Sequence, residues 1–226
     1  MNNTKVPHFF GLLLDFLFPA GESVKTFENV SVDEFKRRLP PSEPINENVA
    51  AVFAYSDERV KHLVWEIKYY RNTKIADAVG SLIAEKMIGG KISAEKFGWK
   101  TSDWQFLVVP IPLTSRRLRE RGFNHTELIA KSVLKNLPRN LRVNFALAPE
   151  ILRKIRHTPK QSSIENREKR FQNIVGAFEV AEPHLVAGKN IVVIDDVITT
   201  GATVSEAKRA LFEAGAKSVR AFAVAH

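Results

Sequence analysis

Apolar residues follow two different spacings along the second half of the chain. Continuous apolar or extended runs predict strands at residues 106–113, 145–152, 191–196 and 218–225. Between these runs, helical spacing predicts helices at about residues 125–135 and 203–213. Apolar strands that alternate with helices are typical of a parallel sheet with helices on both faces. We therefore predict an α/β fold built on such a sheet.

Residues 49–87 predict a short strand at 49–55 followed by two helices. Ser56 or Asp57 can cap the first helix, and Asn124 can cap the later helix at His125, with Glu127 completing a capping box. The apolar stripes of the two helices are Val60, Leu63, Val64 and Ile67, then Ile75, Val79, Leu82 and Ile83. We expect both stripes to face the core.

Residues 1–48 have a different character, so we predict two regions, 1–48 and 49–226. The run "HFFGLLLDFLFPA" at residues 8–20 is too short to span a bilayer and contains Asp15. It predicts a docking helix, with a membrane-surface helix as the alternative, and a proline-containing linker follows it. We expect no membrane span.

The composition limits the class of protein. With 226 residues, 44% of them hydrophobic, the chain can bury one core of ordinary size. It contains no cysteine, which excludes disulfides and thiolate zinc sites, and it shows no secretory pattern. We therefore expect a cytoplasmic protein.

Positive charge is concentrated in one part of the chain. The net charge is +9, and residues 110–175 alone carry 15 Lys/Arg and 5 Asp/Glu, a net of +10. Such a surplus indicates a polyanionic partner, either a phosphorylated small molecule or a nucleic acid. A solvated basic surface is the alternative interpretation.

The stretch "IVVIDDVITTGAT" at residues 191–203 contains the most informative chemistry. Asp195 and Asp196 follow a buried strand, and ligands of open parallel sheets collect at the carboxyl ends of the strands. The next residues are small and lead into a helix, and they comprise Thr199, Thr200, Gly201, Ala202 and Thr203. Free N–H groups and the helix dipole favour a phosphate there. Carboxylates beside a phosphate site suit a sugar phosphate; solvated aspartates before a helix cap are the alternative.

This stretch resembles the phosphoribosyl pyrophosphate signature of type I phosphoribosyltransferases. Three further stretches resemble the ComF family, also called the competence protein F or amidophosphoribosyltransferase-like family: "VWEIKYYRNTKIADAVG", "VPIPLTSRRLRERGFNHTELIA" and "RHTPKQSSIENREKRFQNIVGAF". The chain departs from the family in lacking the usual cysteine-ligated zinc module and in having His125 where Gln is common. A Walker loop or a nicotinamide fingerprint does not fit the residues.

The resemblance implies a type I phosphoribosyltransferase-like sheet and a role for each motif. It assigns the ribose hydroxyls to Asp195 and Asp196, and the 5-phosphate to the stretch from Thr199 to Thr203. It assigns pyrophosphate to Arg121 with Arg116 or Arg117, and a flexible loop containing Lys160, Gln161 and Arg170 to closure over the ligand. It also implies Mg²⁺ held mostly through the substrate, with no direct protein ligand.

Two classes of function follow from the resemblance. The first is a phosphoribosyltransferase that binds phosphoribosyl pyrophosphate or a related nucleotide; Thr199 stands where 6-oxopurine enzymes commonly have an acidic residue, which argues against hypoxanthine or guanine as acceptor. The second is a non-catalytic accessory of DNA uptake and natural transformation that binds single-stranded DNA and contacts competence machinery proteins. Homodimer formation stays open.

Overall fold

A computed structural model describes residues 31–89, 106–156 and 174–226. The predicted docking helix at residues 8–20 lies outside the described residues, as do Lys160, Gln161 and Arg170 of the predicted flexible loop.

The described strands are β1 (Val49–Phe53), β2 (Phe106–Pro110), β3 (Phe145–Leu147), β4 (Leu152–Lys154), β5 (Phe178–Val180), β6 (Asn190–Val197) and β7 (Ser218–Ala225). The described helices are α1 (Val32–Arg38), α2 (Glu58–Tyr70), α3 (Thr73–Gly89), α4 (Ser115–Arg121), α5 (His125–Asn136), α6 (Arg139–Arg142), α7 (Pro183–Val186) and α8 (Ala202–Glu213). None of these described helices is both long and apolar enough to cross a bilayer.

The central sheet has five parallel strands in the order β1-β7-β6-β2-β3. Its inner strands are buried on both faces, and accordingly β6 contains a continuous apolar run at residues 191–194 and β7 one at residues 221–225. Ile194 of β6 belongs to the hydrophobic core on one face, with α2, α3 and α5, while Val193 belongs to the core on the other face, with α8. The prediction of a parallel α/β sheet is confirmed.

The long helices begin and bury their faces as the sequence predicts. Asp57 caps α2 by accepting a hydrogen bond from the Arg59 N–H at 2.8 Å, and the predicted apolar stripes of α2 and α3 are buried. Asn124 caps α5 by accepting from the Thr126 N–H at 3.2 Å. Glu127 pairs instead with Lys131 at 2.6 Å, so the predicted capping box is replaced by a simple cap and an ion pair one turn later.

Two local predictions differ from the structure. The arginine-rich stretch after β2, for which no helix is predicted, is the helix α4, with Thr114 at its N-cap and Gly122 in the left-handed conformation at its C-cap. The extended piece predicted at residues 145–152 is divided between β3 and β4. Because β4 pairs antiparallel with β5, it belongs to a separate two-stranded sheet.

The chain reverses its direction of travel across the sheet between β2 and β6. From β2 it moves outward to β3, and it later returns on the other side of β2 to form β6 and then β7. In open parallel sheets, such a switch point leaves a crevice at the carboxyl ends of the two strands. Asp195 and Asp196 lie in the last part of β6, at this end of the sheet.

Candidate functional site

The carboxyl end of β2 is joined to β6 and to the start of α5 by hydrogen bonds through one residue. Ile111 donates its N–H to the Ile194 carbonyl at 2.9 Å. Its own carbonyl accepts from the Thr126 hydroxyl at 2.6 Å and from the Asn124 amide at 3.2 Å. These bonds hold the first turn of α5 over the switch point, and they place His125 beside the end of β6.

Asp196 is the centre of a buried polar cluster. Its Oδ2 atom lies 3.0 Å from His125 Nε2 and forms an ion pair with the Lys68 ammonium of α2. Its Oδ1 atom accepts from the Val197 N–H at 2.7 Å. Burial opposes the charged carboxylate, but Lys68 and His125 outweigh it and hold the pKa of Asp196 well below its usual range. Asp196 is therefore a stable anion.

Asp195 has the opposite electrostatic character. It is 5% exposed, and burial together with the neighbouring Asp196 charge raises its pKa well above the usual value. Its Oδ1 atom accepts from the Asp196 N–H at 2.8 Å. The two adjacent carboxyl groups thus differ in the direction of their pKa shifts, which is downward at Asp196 and upward at Asp195. Carboxyl groups at this position can form hydrogen bonds with hydroxyl groups.

Arg121, at the end of α4, extends the cluster toward α2. Its Nη1 atom lies 3.2 Å from His125 Nδ1, and its guanidinium lies 4.8 Å from the centroid of the Tyr69 ring. The Tyr69 hydroxyl accepts from Arg121 Nη2 at 3.5 Å. Four side chains from α2, α4, α5 and β6 are therefore connected in the order Arg121, His125, Asp196 and Lys68.

The small residues after β6 form the turn into α8. Gly201 is the N-cap of this helix, with φ at 77° in the left-handed region. The Thr200 hydroxyl lies 3.5 Å from the Ala202 N–H, and Ala202 itself is buried. The first N–H groups of α8 and the positive end of its dipole thus lie directly beyond the aspartate pair.

The other predicted arginines lie apart from this chain of contacts. Arg116 forms an ion pair with Glu120 at 2.8 Å, and its side chain is 70% exposed. Arg117 acts electrostatically on Lys154, at the end of β4. Burial lowers the pKa of the Lys154 ammonium; the Arg117 charge adds to this effect and the Asp195 carboxylate opposes it. Lys154 is therefore within electrostatic range of both Arg117 and Asp195.

The sequence predicts no site role for Lys68 or His125. Two signals for them were present: Lys68 directly follows the apolar stripe of α2, and His125 is the first residue of a capped helix. Neither signal indicates a partner, because His125 and Asp196 are 71 residues apart. The assignment of ribose, phosphate and pyrophosphate to the predicted residues remains a prediction.

Comparisons with known proteins point to one domain type. The phosphoribosyl transferase domain matches residues 128–226. The DNA utilization protein YhgH of Salmonella typhimurium is 30% identical over 158 residues, which cover 70% of this chain and 63% of that protein.

Two proteins named for competence are also similar. Competence protein ComFC of Streptococcus pneumoniae is 32% identical over 145 residues, 64% of this chain and 57% of that protein. Competence protein F of Haemophilus influenzae is 27% identical over 119 residues, 52% of this chain and 49% of that protein. In each case the match spans less than two thirds of the relative's length.

Proposed function

We propose, from the premise that this chain belongs to the ComF family of proteins with a phosphoribosyltransferase domain, that its site binds phosphoribosyl pyrophosphate or a related ribose 5-phosphate nucleotide. The ligand occupies the crevice at the carboxyl ends of β2 and β6. The reaction is transfer of the phosphoribosyl group to an acceptor, in the cytoplasm.

One juxtaposition supports this ligand above others: a buried carboxyl pair stands between a helix N-terminus and an arginine. In the proposal, Asp195 and Asp196 bind the ribose hydroxyls, and the turn from Thr199 to Thr203 binds the 5-phosphate through N–H groups. Arg121, with Arg117 or Arg116, binds pyrophosphate, for which the guanidinium fork is well suited.

The donor set at the end of β6 fits Mg²⁺, which prefers carboxylate and phosphate oxygens. Asp195 and Asp196 would face the ion only through ribose hydroxyls and water, so the ligands of the ion would be oxygens of the bound substrate and water. When bound, Mg²⁺ supplies positive charge to the pyrophosphate group.

The residues of the chain then stabilise charge as the anomeric bond breaks. Pyrophosphate departs with the bonding electron pair, positive charge grows on the ribose, and an acceptor atom forms the new bond to the anomeric carbon. Arg121 stabilises the leaving group, and the anionic Asp196 lies on the ribose side, where positive charge develops.

The proposed ligand is tested with the variant Asp195→Asn/Asp196→Asn. Calorimetric titration with phosphoribosyl pyrophosphate and Mg²⁺ is expected to show binding by the wild type and at least about tenfold weaker binding by the variant, since hydrogen bonds to charged groups are lost. Asp77→Asn is the matched control, because Asp77 of α3 pairs with Lys135 of α5, outside the site. Equal affinity of a folded double variant and the wild type would refute the ribose assignment.

A second candidate function is favoured by the surface of α4. Arg116, Arg117, Arg119 and Arg121 lie within this seven-residue helix, which has no buried residue and stands next to the crevice. Such a surface suits a nucleic-acid backbone. We propose as the alternative a non-catalytic accessory of DNA uptake and natural transformation that binds single-stranded DNA and works with competence machinery proteins.

We propose that DNA contacts a set of basic residues, of which Lys160, Lys169 and Arg170 lie outside the described residues; the set comprises Arg153, Lys154, Arg156, Lys160, Lys169 and Arg170. Lys154 is partly buried, 5.3 Å from the Phe178 ring centroid. We expect weak binding of a labelled oligonucleotide that decreases with salt and is reduced by phosphoribosyl pyrophosphate with Mg²⁺. Fluorescence anisotropy at two salt concentrations measures this. Absence of binding at low salt would exclude the DNA role, and binding unaffected by the small ligand would place DNA elsewhere.

A further inference from the structure

His125 is a buried imidazole with a different partner on each ring nitrogen. Nδ1 lies 3.2 Å from Arg121 Nη1, and Nε2 lies 3.0 Å from Asp196 Oδ2. The whole residue is 3% exposed to solvent. The two partners belong to the two parts of the site to which the proposed function assigns different ligand groups, pyrophosphate and ribose.

The chemistry of the partners fixes the protonation of the ring. An arginine guanidinium has N–H donors and no acceptor, so Nδ1 must accept and cannot carry a proton. An ionised carboxylate only accepts, so Nε2 must carry the proton and donate it to Asp196. Both contacts are satisfied together by only one form of the ring, the neutral Nε2–H tautomer. The Nδ1–H tautomer and the imidazolium would each place an N–H against Arg121.

We infer that His125 is a positioning residue that, as the neutral Nε2–H tautomer, holds Arg121 and Asp196 in one fixed arrangement. This inference rests on the proposed function, which makes Arg121 the anion-binding group and Asp196 the hydroxyl-binding group. His125 then fixes the spacing of these two groups before the ligand enters. In this role His125 contacts neither the reacting atoms nor the ligand. It acts through its two partners.

The surroundings of the ring support the neutral form. The charged groups that face His125 are Asp196 of β6, Lys68 of α2 and Arg121 of α4. Burial lowers the pKa of His125, the Asp196 carboxylate opposes this, and the two cations add to it, with a net lowering. Asp196 is already paired with the Lys68 ammonium, so it does not require an imidazolium as its counterion.

Glutamine is the substitution that separates positioning from mere packing. Its amide oxygen can accept from Arg121 while its amide nitrogen donates to Asp196, so His125→Gln retains both contacts in a group that does not titrate. His125→Leu fills similar space and retains neither contact. The two variants thus differ in their hydrogen bonds to Arg121 and Asp196 and not in side-chain size.

The first experiment needs no ligand. In protein labelled with ¹⁵N at its six histidines, long-range ¹H–¹⁵N correlation spectra distinguish the tautomers, and His125→Gln identifies the His125 signals by their loss. We expect His125 to show a protonated Nε2 and an unprotonated Nδ1 at neutral pH. An Nδ1–H tautomer, an imidazolium or an averaged pattern would overturn the inference, whatever the protein binds.

The second experiment measures affinity for phosphoribosyl pyrophosphate with Mg²⁺. We expect His125→Gln to bind within about threefold of the wild type and His125→Leu to bind at least about tenfold more weakly, since a hydrogen bond to a charged group is lost on each side. Equal binding by a folded His125→Leu variant, or equal weakening by both variants, would overturn the inference. If the wild type does not bind this ligand, the proposed function fails, and the tautomer spectrum still decides the state of His125. If His125→Leu does not fold, the spectrum and His125→Gln decide the matter.

Discussion

Two ion pairs of this protein join the same kinds of group in different surroundings. Lys68 pairs with Asp196 inside the site, where the side chains are 25% and 12% exposed. Lys135 pairs with Asp77 at 2.9 Å on the surface, where the exposures are 68% and 37%. Loss of one partner leaves an uncompensated charge in both cases, but water can solvate only the surface carboxylate.

We predict that Lys68→Met lowers the free energy of unfolding by about 2 to 4 kcal/mol, because Asp196 loses the cation that offsets its burial. Lys135→Met, the matched change at the surface pair, should cost about 0 to 1 kcal/mol. The combination Lys68→Met/Asp196→Asn should recover part of the loss, since it removes the buried charge as well. Urea unfolding of the variants measures these differences. Equal, small effects of the two single changes would show that Asp196 is well solvated.

At the residue scale, the sequence predicts site residues that are neighbours in the chain. It does not predict site residues that come together only when the chain folds. Asp195 and Asp196 adjoin a buried strand, so their position at the end of β6 follows from the pattern alone. Lys68 and His125 meet Asp196 only because α2 and α5 pack on the same face of the sheet. Nothing near His125 in the sequence indicates a carboxylate 71 residues away.

Among the elements, the turn from β6 into α8 is the one most closely tied to the proposed ligand. Gly201 and Gly188 offer a matched comparison: their φ angles are 77° and 72°, and a Cβ atom added at either would meet no atom within 4 Å. Gly201 caps α8 beside the site, whereas Gly188 lies before β6, at the opposite end of that strand. An alanine at either position is strained by its backbone conformation and not by crowding.

We predict that Gly201→Ala and Gly188→Ala each destabilise the fold by about 1 to 2 kcal/mol, the cost of a left-handed non-glycine residue. Only Gly201→Ala should also weaken the binding of phosphoribosyl pyrophosphate, because its strain shifts the N–H groups proposed to surround the 5-phosphate. Thermal unfolding and calorimetric titration of both variants measure the two effects. Unchanged affinity of Gly201→Ala, or an equal loss in Gly188→Ala, would argue against a phosphate in this turn.

Long periodic elements were predicted correctly because their burial is visible as spacing. The stripe of α2, for example, is completely buried in the core, as the pattern indicates. The short elements were not predicted correctly. The helix α4, for example, buries no residue, so no apolar stripe distinguishes it from a loop. The β4–β5 pair depends on partners separated by residues outside the described ranges, and each strand has only three residues, too few for a pattern.

At the scale of the whole molecule, the order of the strands in the sheet brings the residues of the site together. Because the chain reverses between β2 and β6, the arginine helix after β2 and the aspartates of β6 meet at one edge of the sheet. Arg121 of α4 reaches the site from the β2 side, and β6 supplies the two carboxyl groups. The same arrangement supports a ligand with phosphate at its ends and hydroxyls between them.

A crystal structure of the protein with phosphoribosyl pyrophosphate and Mg²⁺ tests this account most directly, since it shows where each part of the ligand lies. We predict ribose hydroxyls against Asp195 and Asp196, the 5-phosphate in the turn from Thr199 to Thr203, and pyrophosphate toward Arg121. A ligand bound at another face, or one in the crevice with its 5-phosphate away from the start of α8, would contradict the account.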